Sequence, residues 1–270
     1  MKKIYTKADI YAQLDAMSIP RDRVVLMHSS LRLVGAVEGG ACGLLDILID
    51  YFTEQGGLFC VPTHTWMNLG KEITLDMNDP HTCLGAFSDL AAGDPRAVRT
   101  EHPSHSMAVF GDPLRVQEFV KDEPFVTTCT PAEGCYGKIY DMGGTVLLVG
   151  VSHNRNTYLH FVDESLNIPN RMSSNIKRLT LKRPSGEIVQ RPIRFMKCGF
   201  TDDISLRFPK YETPFRYYGA IRDGFLGDAP TQACDAVIMK EVMEHIFHAA
   251  GENDPLAGEE PIPPKWYVRK

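Results

Sequence analysis

The densest chemistry in this chain lies in Asn156-Thr157-Tyr158-Leu159-His160-Phe161-Val162-Asp163-Glu164. On a helix, Thr157, His160, Asp163 and Glu164 share one face at spacings of three and four. A histidine with a carboxylate one turn away is the layout of a general base, the carboxylate holding the ring and raising its pKa. The same spacing also serves a plain surface ion pair. A second segment is His28-Ser29-Ser30-Leu31-Arg32. Its hydroxyls and backbone N–H groups suit phosphate or amide oxygens, a polar turn being the alternative. The third runs from Arg99 through His102-Pro103-Ser104-His105 to Ser106. Its histidines are three apart, but Pro103 prevents a regular helix face and no third ligand lies nearby, so a structured turn without metal is expected. Cys135 sits between glycines with Lys138 close by, a setting that can lower a thiol pKa. The expectation is nevertheless a reaction without a covalent cysteine. GxSxG, GxGxxG and GxxxxGK[ST] are all absent from the sequence, so an α/β-hydrolase elbow, a Rossmann dinucleotide site and a P-loop are not supported.

The elements that must carry these segments can be read from hydrophobic period and punctuation. Thr6 with Asp9 opens a helix that Pro20 stops, and Val24 to Met27 is a buried strand ending at His28. Leu44, Leu45, Ile47, Leu48 and Phe52 mark a helix between Gly39-Gly40 and Gly56-Gly57, and Leu58 to Val61 is the next strand. This β-α-β order predicts parallel strands. A short helix is expected over Ala86 to Ala92, a strand over Met107 to Phe110 and a helix over Pro113 to Val120. Thr145 to Val151 reads as a central strand and Asn156 to Leu166 as the helix behind it. Arg178 to Leu181 and Ile188 to Phe195 flank a Pro-Ser-Gly-Glu turn and read as a hairpin, and Cys234 to Ala249 is a last amphipathic helix. The fold class is α/β: a central, largely parallel sheet with flanking helices and an antiparallel C-terminal addition. Residues 1–270 form one domain, with 255–270 as an extended tail. Polar segments directly after parallel strands face the crevice where such folds bind ligands.

The 270 residues carry 29 Lys and Arg against 34 Asp and Glu, a formal charge of −5, with 43% hydrophobic residues. That slightly acidic balance argues against a general nucleic-acid binder, and no apolar run approaches a membrane span. The N-terminus lacks an apolar signal region, and the 7 cysteines include no CxxC. Reduced thiols in the cytoplasm are the expectation.

Taken in order, these segments resemble the aminoglycoside 3-N-acetyltransferase family, the antibiotic N-acetyltransferases outside the GNAT fold. The matching residues are His28-Ser-Ser-Leu-Arg with Gly35 and Gly39-Gly40, then Pro62-Thr63 with Thr65-Trp66, and Arg99 with His102-Pro103 and Ser106. They continue with Gly137-Lys138 and Tyr140, Val146-Leu-Leu-Val-Gly150, and Asn156-Thr157 with Leu159-His160 and Asp163. A weaker match runs from Gly219 to Ala229. The resemblance implies acetyl transfer from acetyl-CoA to an amine of an aminoglycoside, the 3-amino group, directly and without metal. It implies His160 as general base, Asp163 (where the family usually has Glu) or the adjoining Glu164 as its orienting acid, and Thr157 as a hydrogen-bond donor to the thioester or thiolate. His28, Ser29, Ser30 and Leu31, with Arg99 and Ser106, would line the path of the pantetheine and pyrophosphate. Asp202 and Asp203 fall where the acceptor wall should lie. Cys135 stands where the family commonly has Ser, and residues 67–90 are shorter and less acidic than the loop many resistance enzymes place over the antibiotic. The implied partner is a small-molecule amine, with the protein a monomer or homodimer. The same chemistry on another amine metabolite, or CoA binding without transfer, are the alternatives.

Overall fold

A computed structural model describes residues 3–169, 171–197 and 203–269. In chain order its elements begin with β1 (Ile4–Tyr5), α1 (Lys7–Ala16), β2 (Val24–Ser29), α2 (Leu31–Val34), β3 (Ala36–Val37), α3 (Gly40–Thr53) and β4 (Leu58–Pro62). They continue with β5 (Leu75–Asp76), α4 (Ala86–Gly93), β6 (Val98–Arg99), β7 (Met107–Phe110), α5 (Pro113–Val120), α6 (Cys135–Asp141), β8 (Thr145–Val149) and α7 (Tyr158–Ser165). The last are β9 (Met172–Lys182), β10 (Ile188–Met196), α8 (Glu212–Tyr217), β11 (Ile221–Leu226), β12 (Ala229–Asp235) and α9 (Ala236–Ala249), with a 3-10 helix over Ile204–Tyr211.

The main sheet has the order β11-β12-β8-β2-β4-β7-β6. Its centre, β8-β2-β4, is parallel. Both flanks are antiparallel, at β12 against β8 and β7 against β4. The expected largely parallel sheet is therefore a mixed one: β7 and β12 both run back alongside the centre. The strands read as unbroken apolar runs because both faces are covered. Within each run the residues still alternate. Val24, Leu26, Leu58, Cys60, Val146 and Leu148 enter one core, and Val25, Met27, Phe59, Val61, Leu147 and Val149 enter the other. The first core is closed by α5, α6, α7, α9 and the 204–215 region, and the second by α1, α3 and α4.

Side chains start the helices where the sequence signals them. Thr6 and Asp9 form a reciprocal cap on α1, Asp112 caps α5 ahead of Pro113, and the Asp235 carboxylate accepts from Ile238 N on α9. The hairpin β9/β10 exists as expected but joins β5 in a separate sheet, over a small core of Cys129, Leu179 and Ile193. The C-terminal segment is irregular yet docked, with Leu256, Ile262 and Tyr267 buried in the first core. Among the described residues no helix is long and apolar enough to cross a membrane.

Candidate active site

The C-terminal ends of the three parallel strands deliver polar residues to one edge of the sheet. β2 ends at His28 and Ser29, and β4 runs into Thr63, His64 and Thr65. β8 ends at Val149, and Gly150 begins the turn to α7. Gly150 has φ +63, and a Cβ there would lie 3.0 Å from Leu33, so the turn that lets α2 cross β8 favours glycine.

Thr157 is buried directly before α7, and its carbonyl accepts from His160 N. His160 is partly exposed one turn on, with its ring 4.8 Å from that of Phe208. Its Nδ1 lies 3.1 Å from Met196 Sδ. A thioether only accepts, so Nδ1 carries the proton and Nε2 presents the lone pair. Burial pushes the ring pKa down to about 4; Asp203 opposes the shift and Arg171 adds to it. His160 is thus a neutral imidazole at neutral pH, fit to take a proton.

Asp163 is on the same helix but serves another partner. Its carboxylate is fully buried and lies 2.9 Å from Arg171 Nε, and Arg171 also reaches Asp254 at 2.8 Å. Burial pushes the Asp163 carboxyl up to about 7, with Arg171 pulling it down and Asp254 adding to the rise. The expected carboxylate–imidazole contact is not formed among the described residues; Met196 occupies the His160 Nδ1 side instead. Glu164 turns to the 126–131 loop, where it accepts from the Thr128 hydroxyl and from Thr130 N and Oγ1 at 3.3 and 3.2 Å. Asp203 is exposed, caps Ser205 N at 3.0 Å, and lies near enough to His160 to act on its charge. Asp202 lies outside the described residues.

His28 is buried, its Nε2 has no hydrogen-bond partner among the described residues, and desolvation pushes its pKa down to about 3, His160 adding to the shift. Ser29 closes β2. Ser30 N donates to Val149 O at 2.8 Å, and Leu31 packs into the second core. Arg99 and Ser106 are brought together around Thr63. Arg99 donates to Thr63 Oγ1, Thr63 O and Asp79 O, and the Ser106 hydroxyl donates to Thr63 O at 2.8 Å. These bonds fix the end of β4. Desolvation pushes the Arg99 guanidinium down to about 10.

The 102–106 segment is the structured turn its proline indicates. His102 Nδ1 accepts from the backbone N of Ser104 and His105, and Nε2 donates to Thr128 O at 2.9 Å. Among the described residues no three His, Cys, Asp or Glu side chains group to hold a metal ion. Cys135 is buried against Phe119 O, and burial raises its thiol pKa well above the usual range.

Two members of this edge carried no distinguishing sequence signal. His64 is a single histidine between threonines, and Tyr136 reads as one more core aromatic. They meet at 2.8 Å, His64 Nε2 to the Tyr136 hydroxyl. The rings of His64 and His105 are 4.8 Å apart.

Beside β8 lies an open cleft of about 560 Å³ lined by Leu33, Val151, Ser152, Asp223, Phe225 and Thr231, among others. Its wall is largely apolar, and its one carboxylate is matched by Arg216, 2.6 Å from Asp223.

Residues 26–248 match the family model described as aminoglycoside 3-N-acetyltransferase. The chain is 29% identical over 170 residues to aminoglycoside N(3)-acetyltransferase IV of Salmonella sp, covering 63% of this chain and 62% of that protein. It is 25% identical over 179 residues to the aminoglycoside N(3')-acetyltransferase-like protein YokD of Bacillus subtilis (strain 168), covering 58% and 64%. The matched stretch thus spans less than two thirds of each of these relatives. Among solved structures, an AAC(3)-IVa mutant in complex with apramycin aligns with a TM-score of 0.76 at 23% identity, over 97% of this chain and 99% of that one. AAC-IIIb in a binary complex with CoASH aligns with a TM-score of 0.76 at 19% identity, over 94% and 99%. At these identities the structural likeness establishes the fold.

Proposed function

The chain belongs to the aminoglycoside 3-N-acetyltransferase family, and on that premise we propose that it transfers the acetyl group of acetyl-CoA directly to an amino group of an aminoglycoside, the 3-amino group. The observation that carries the reading is His160: a neutral imidazole at the ligand-binding edge of the sheet, its Nδ1 taken up by Met196 and its Nε2 left to accept a proton.

The chain's residues divide the work. The Nε2 of His160 takes the proton of the acceptor nitrogen as that nitrogen attacks the thioester carbonyl. Thr157, buried at the start of α7, offers its hydroxyl to the departing sulfur. The apolar cleft beside β8 suits a pantetheine arm, which is narrow and needs few polar partners. His28, Ser29, Ser30 and Leu31 lead from β2 into α2, whose Leu33 lines the cleft. His28 Nε2, without a partner among the described residues, is a further polar group for an amide or carbonyl of that arm. Met196 and Phe208 shield His160 from water and keep its base neutral. Asp203, the acid acting on His160 in the described acceptor region, is suited to guiding an ammonium toward the base. Arg99 and Ser106 hold the β4 end through Thr63, and so support the site by fixing its floor. Asp163 and Glu164 hold α7 in place rather than touching the ring.

The test is thiol release from acetyl-CoA in the presence of a panel of aminoglycosides and simpler amines, with the acceptor-free blank subtracted. Release that depends on one aminoglycoside subclass supports the reading. Release only with other amines moves the acceptor, and binding of acetyl-CoA without release under any acceptor rejects transfer.

A further inference from the structure

The contact that holds the His160 ring is made by an oxidisable atom. Met196 Sδ lies 3.1 Å from His160 Nδ1. Met196 is half-buried at the end of β10, whereas Met27, Met107, Met239 and Met243 are enclosed in the two cores. The register of β10 against β9 shifts between Arg194 and Met196, so the strand end that carries the thioether is not fixed by a continuous ladder. A thioether is a weak acceptor. It keeps the Nδ1 proton in place but does little to stabilise a positively charged ring.

The charged and titratable groups around His160 come from several elements. Asp203, at the start of the 204–211 helix, and Arg171, just ahead of β9, act on its charge in opposite senses. His28 at the end of β2, His64 after β4 and His105 before β7 respond to the charge of His160 in turn. On the hairpin, Lys177 stands over the ring of Phe195, the residue before Met196. On α7 itself, Asp163 is taken up by Arg171, and Glu164 by Thr128 and Thr130. Among the described residues, Met196 Sδ is the hydrogen-bond partner of Nδ1.

We propose that Met196 is an oxidation site that controls the base: a peroxide converts its thioether to the sulfoxide, and the new oxygen takes the Nδ1–H hydrogen bond from sulfur. This rests on the reading of His160 as the base. In the step the peroxide O–O bond breaks, an S=O bond forms, sulfur gives up two electrons, and the peroxide leaves as water or an alcohol. No proton leaves His160. The polar sulfoxide oxygen is a stronger acceptor than the thioether, so it favours the protonated ring and raises the His160 pKa from about 4. The neutral fraction then falls in mildly acidic solution and is almost unchanged at pH 8. Oxidation turns a base that works from pH 5 upward into one confined to neutral and alkaline solution. Methionine sulfoxide reductase returns the thioether, so the change is reversible.

The experiment treats the wild type and Met196→Leu with hydrogen peroxide, then with dithiothreitol, which restores sulfenic acids and disulfides but leaves the sulfoxide. Leucine keeps the volume and cannot be oxidised. Met67, 65% exposed, is open to oxidation in both proteins, so their comparison isolates residue 196. Peptide mass spectrometry is expected to find oxygen on Met196 in the wild type. The ratio of treated to untreated kcat, in which the ionisation of the acceptor amine and of Asp163 cancels, is taken from pH 8 to pH 5 on folded protein. It should fall about fivefold toward pH 5 in the wild type, stay level in Met196→Leu, and recover with methionine sulfoxide reductase. A second readout needs no acceptor: the imidazole titration of His160 by NMR, assigned with His160→Ala, should move up by about one to two pH units on oxidation. Met196 left unoxidised while Met67 is oxidised, a level ratio with Met196 oxidised, or an equal fall in Met196→Leu overturns the proposal. If Met196→Leu does not fold, an unmoved NMR titration or a loss that the reductase leaves in place overturns it in the wild type alone. A wild type that acetylates no amine rejects the transfer reading, and the NMR titration then decides this one.

Discussion

Asp163 and Arg171 face each other across 2.9 Å with side-chain exposures of 0% and 2%, and this ion pair, completed by Asp254, takes up the carboxylate one turn beyond His160. The pair fastens α7 to the start of β9 and to the C-terminal segment. Replacing Arg171 by Met would leave two carboxylates facing each other without their cation. Removing one partner of a buried pair costs about 3–5 kcal/mol, so urea unfolding of Arg171→Met should show a loss of that order. A loss under about 1 kcal/mol, the range of exposed pairs, would contradict the buried pairing.

Acid sensitivity follows from the buried histidines. Burial lowers His28 to about 3 and His153 and His160 to about 4. The unfolded chain binds these protons near pH 6.5, about where free histidine titrates, while the folded chain resists them until about pH 4. Between those limits the unfolded state holds more protons, so stability falls as the solution is acidified. Each such group contributes about 1.4 kcal/mol per pH unit in the window. Asp163, raised to about 7, works in the opposite sense, because the folded state keeps a proton the unfolded chain has released. Glu164, also raised by burial, works with Asp163, while burial lowers His64, His102 and His105 as well, so six histidines outweigh two carboxyls. Urea midpoints at pH 7, 6 and 5 should decline, and His153→Gln should flatten the decline; a flat profile in the wild type would contradict it.

Glu164 joins α7 to the loop that carries Thr128 and Thr130, and Thr128 O in turn accepts from His102. Glu164→Ala leaves these buried groups without their acceptor, at a cost of about 1–3 kcal/mol. Hydrogen exchange at the Thr130 amide should quicken markedly. Unchanged exchange there would show that the loop is held by other contacts.

Lys177 places a cation on the His105 side of the candidate site, which would repel a polycationic acceptor under the proposed function. Lys177 Nζ stands 5.3 Å over the Phe195 ring, and that ring is 6.4 Å from His105. Lys177→Glu should lower KM for an aminoglycoside about fivefold at low salt, an effect of about 1 kcal/mol that shrinks as salt is added. A KM that does not move would mean the acceptor approaches by another face.

Much of this site was legible because strands and helices write their periods into the sequence. The runs ending at His28 and Val149, and the spacing of Thr157 and His160, follow from continuous apolar segments and helical repeats. The neighbours across the sheet were not legible. Asp163 finds Arg171 and Asp254, 8 and 91 positions later in the chain, only once β9 and the C-terminal segment have docked. Met196 reaches His160 from the end of β10, where nothing in its local pattern distinguishes it from a strand residue. His64 and Tyr136 meet because the end of β4 and the start of α6 lie on the same edge, a fact of topology rather than spacing. The β11/β12 hairpin, which turns the sheet's flank antiparallel, has its turn at Gly227, whose φ is +61. That glycine was a turn signal between two short, partly polar strands lacking the apolar runs that mark the centre.

The central claim is that His160 is the base, and kcat of His160→Ala tests it most directly. It should be measured by thiol release with an acceptor that the wild type uses, on protein whose circular dichroism and acetyl-CoA binding match the wild type. The account predicts a fall in kcat of about 10²–10⁴, the usual contribution of a positioned base. A kcat close to that of the wild type would contradict it.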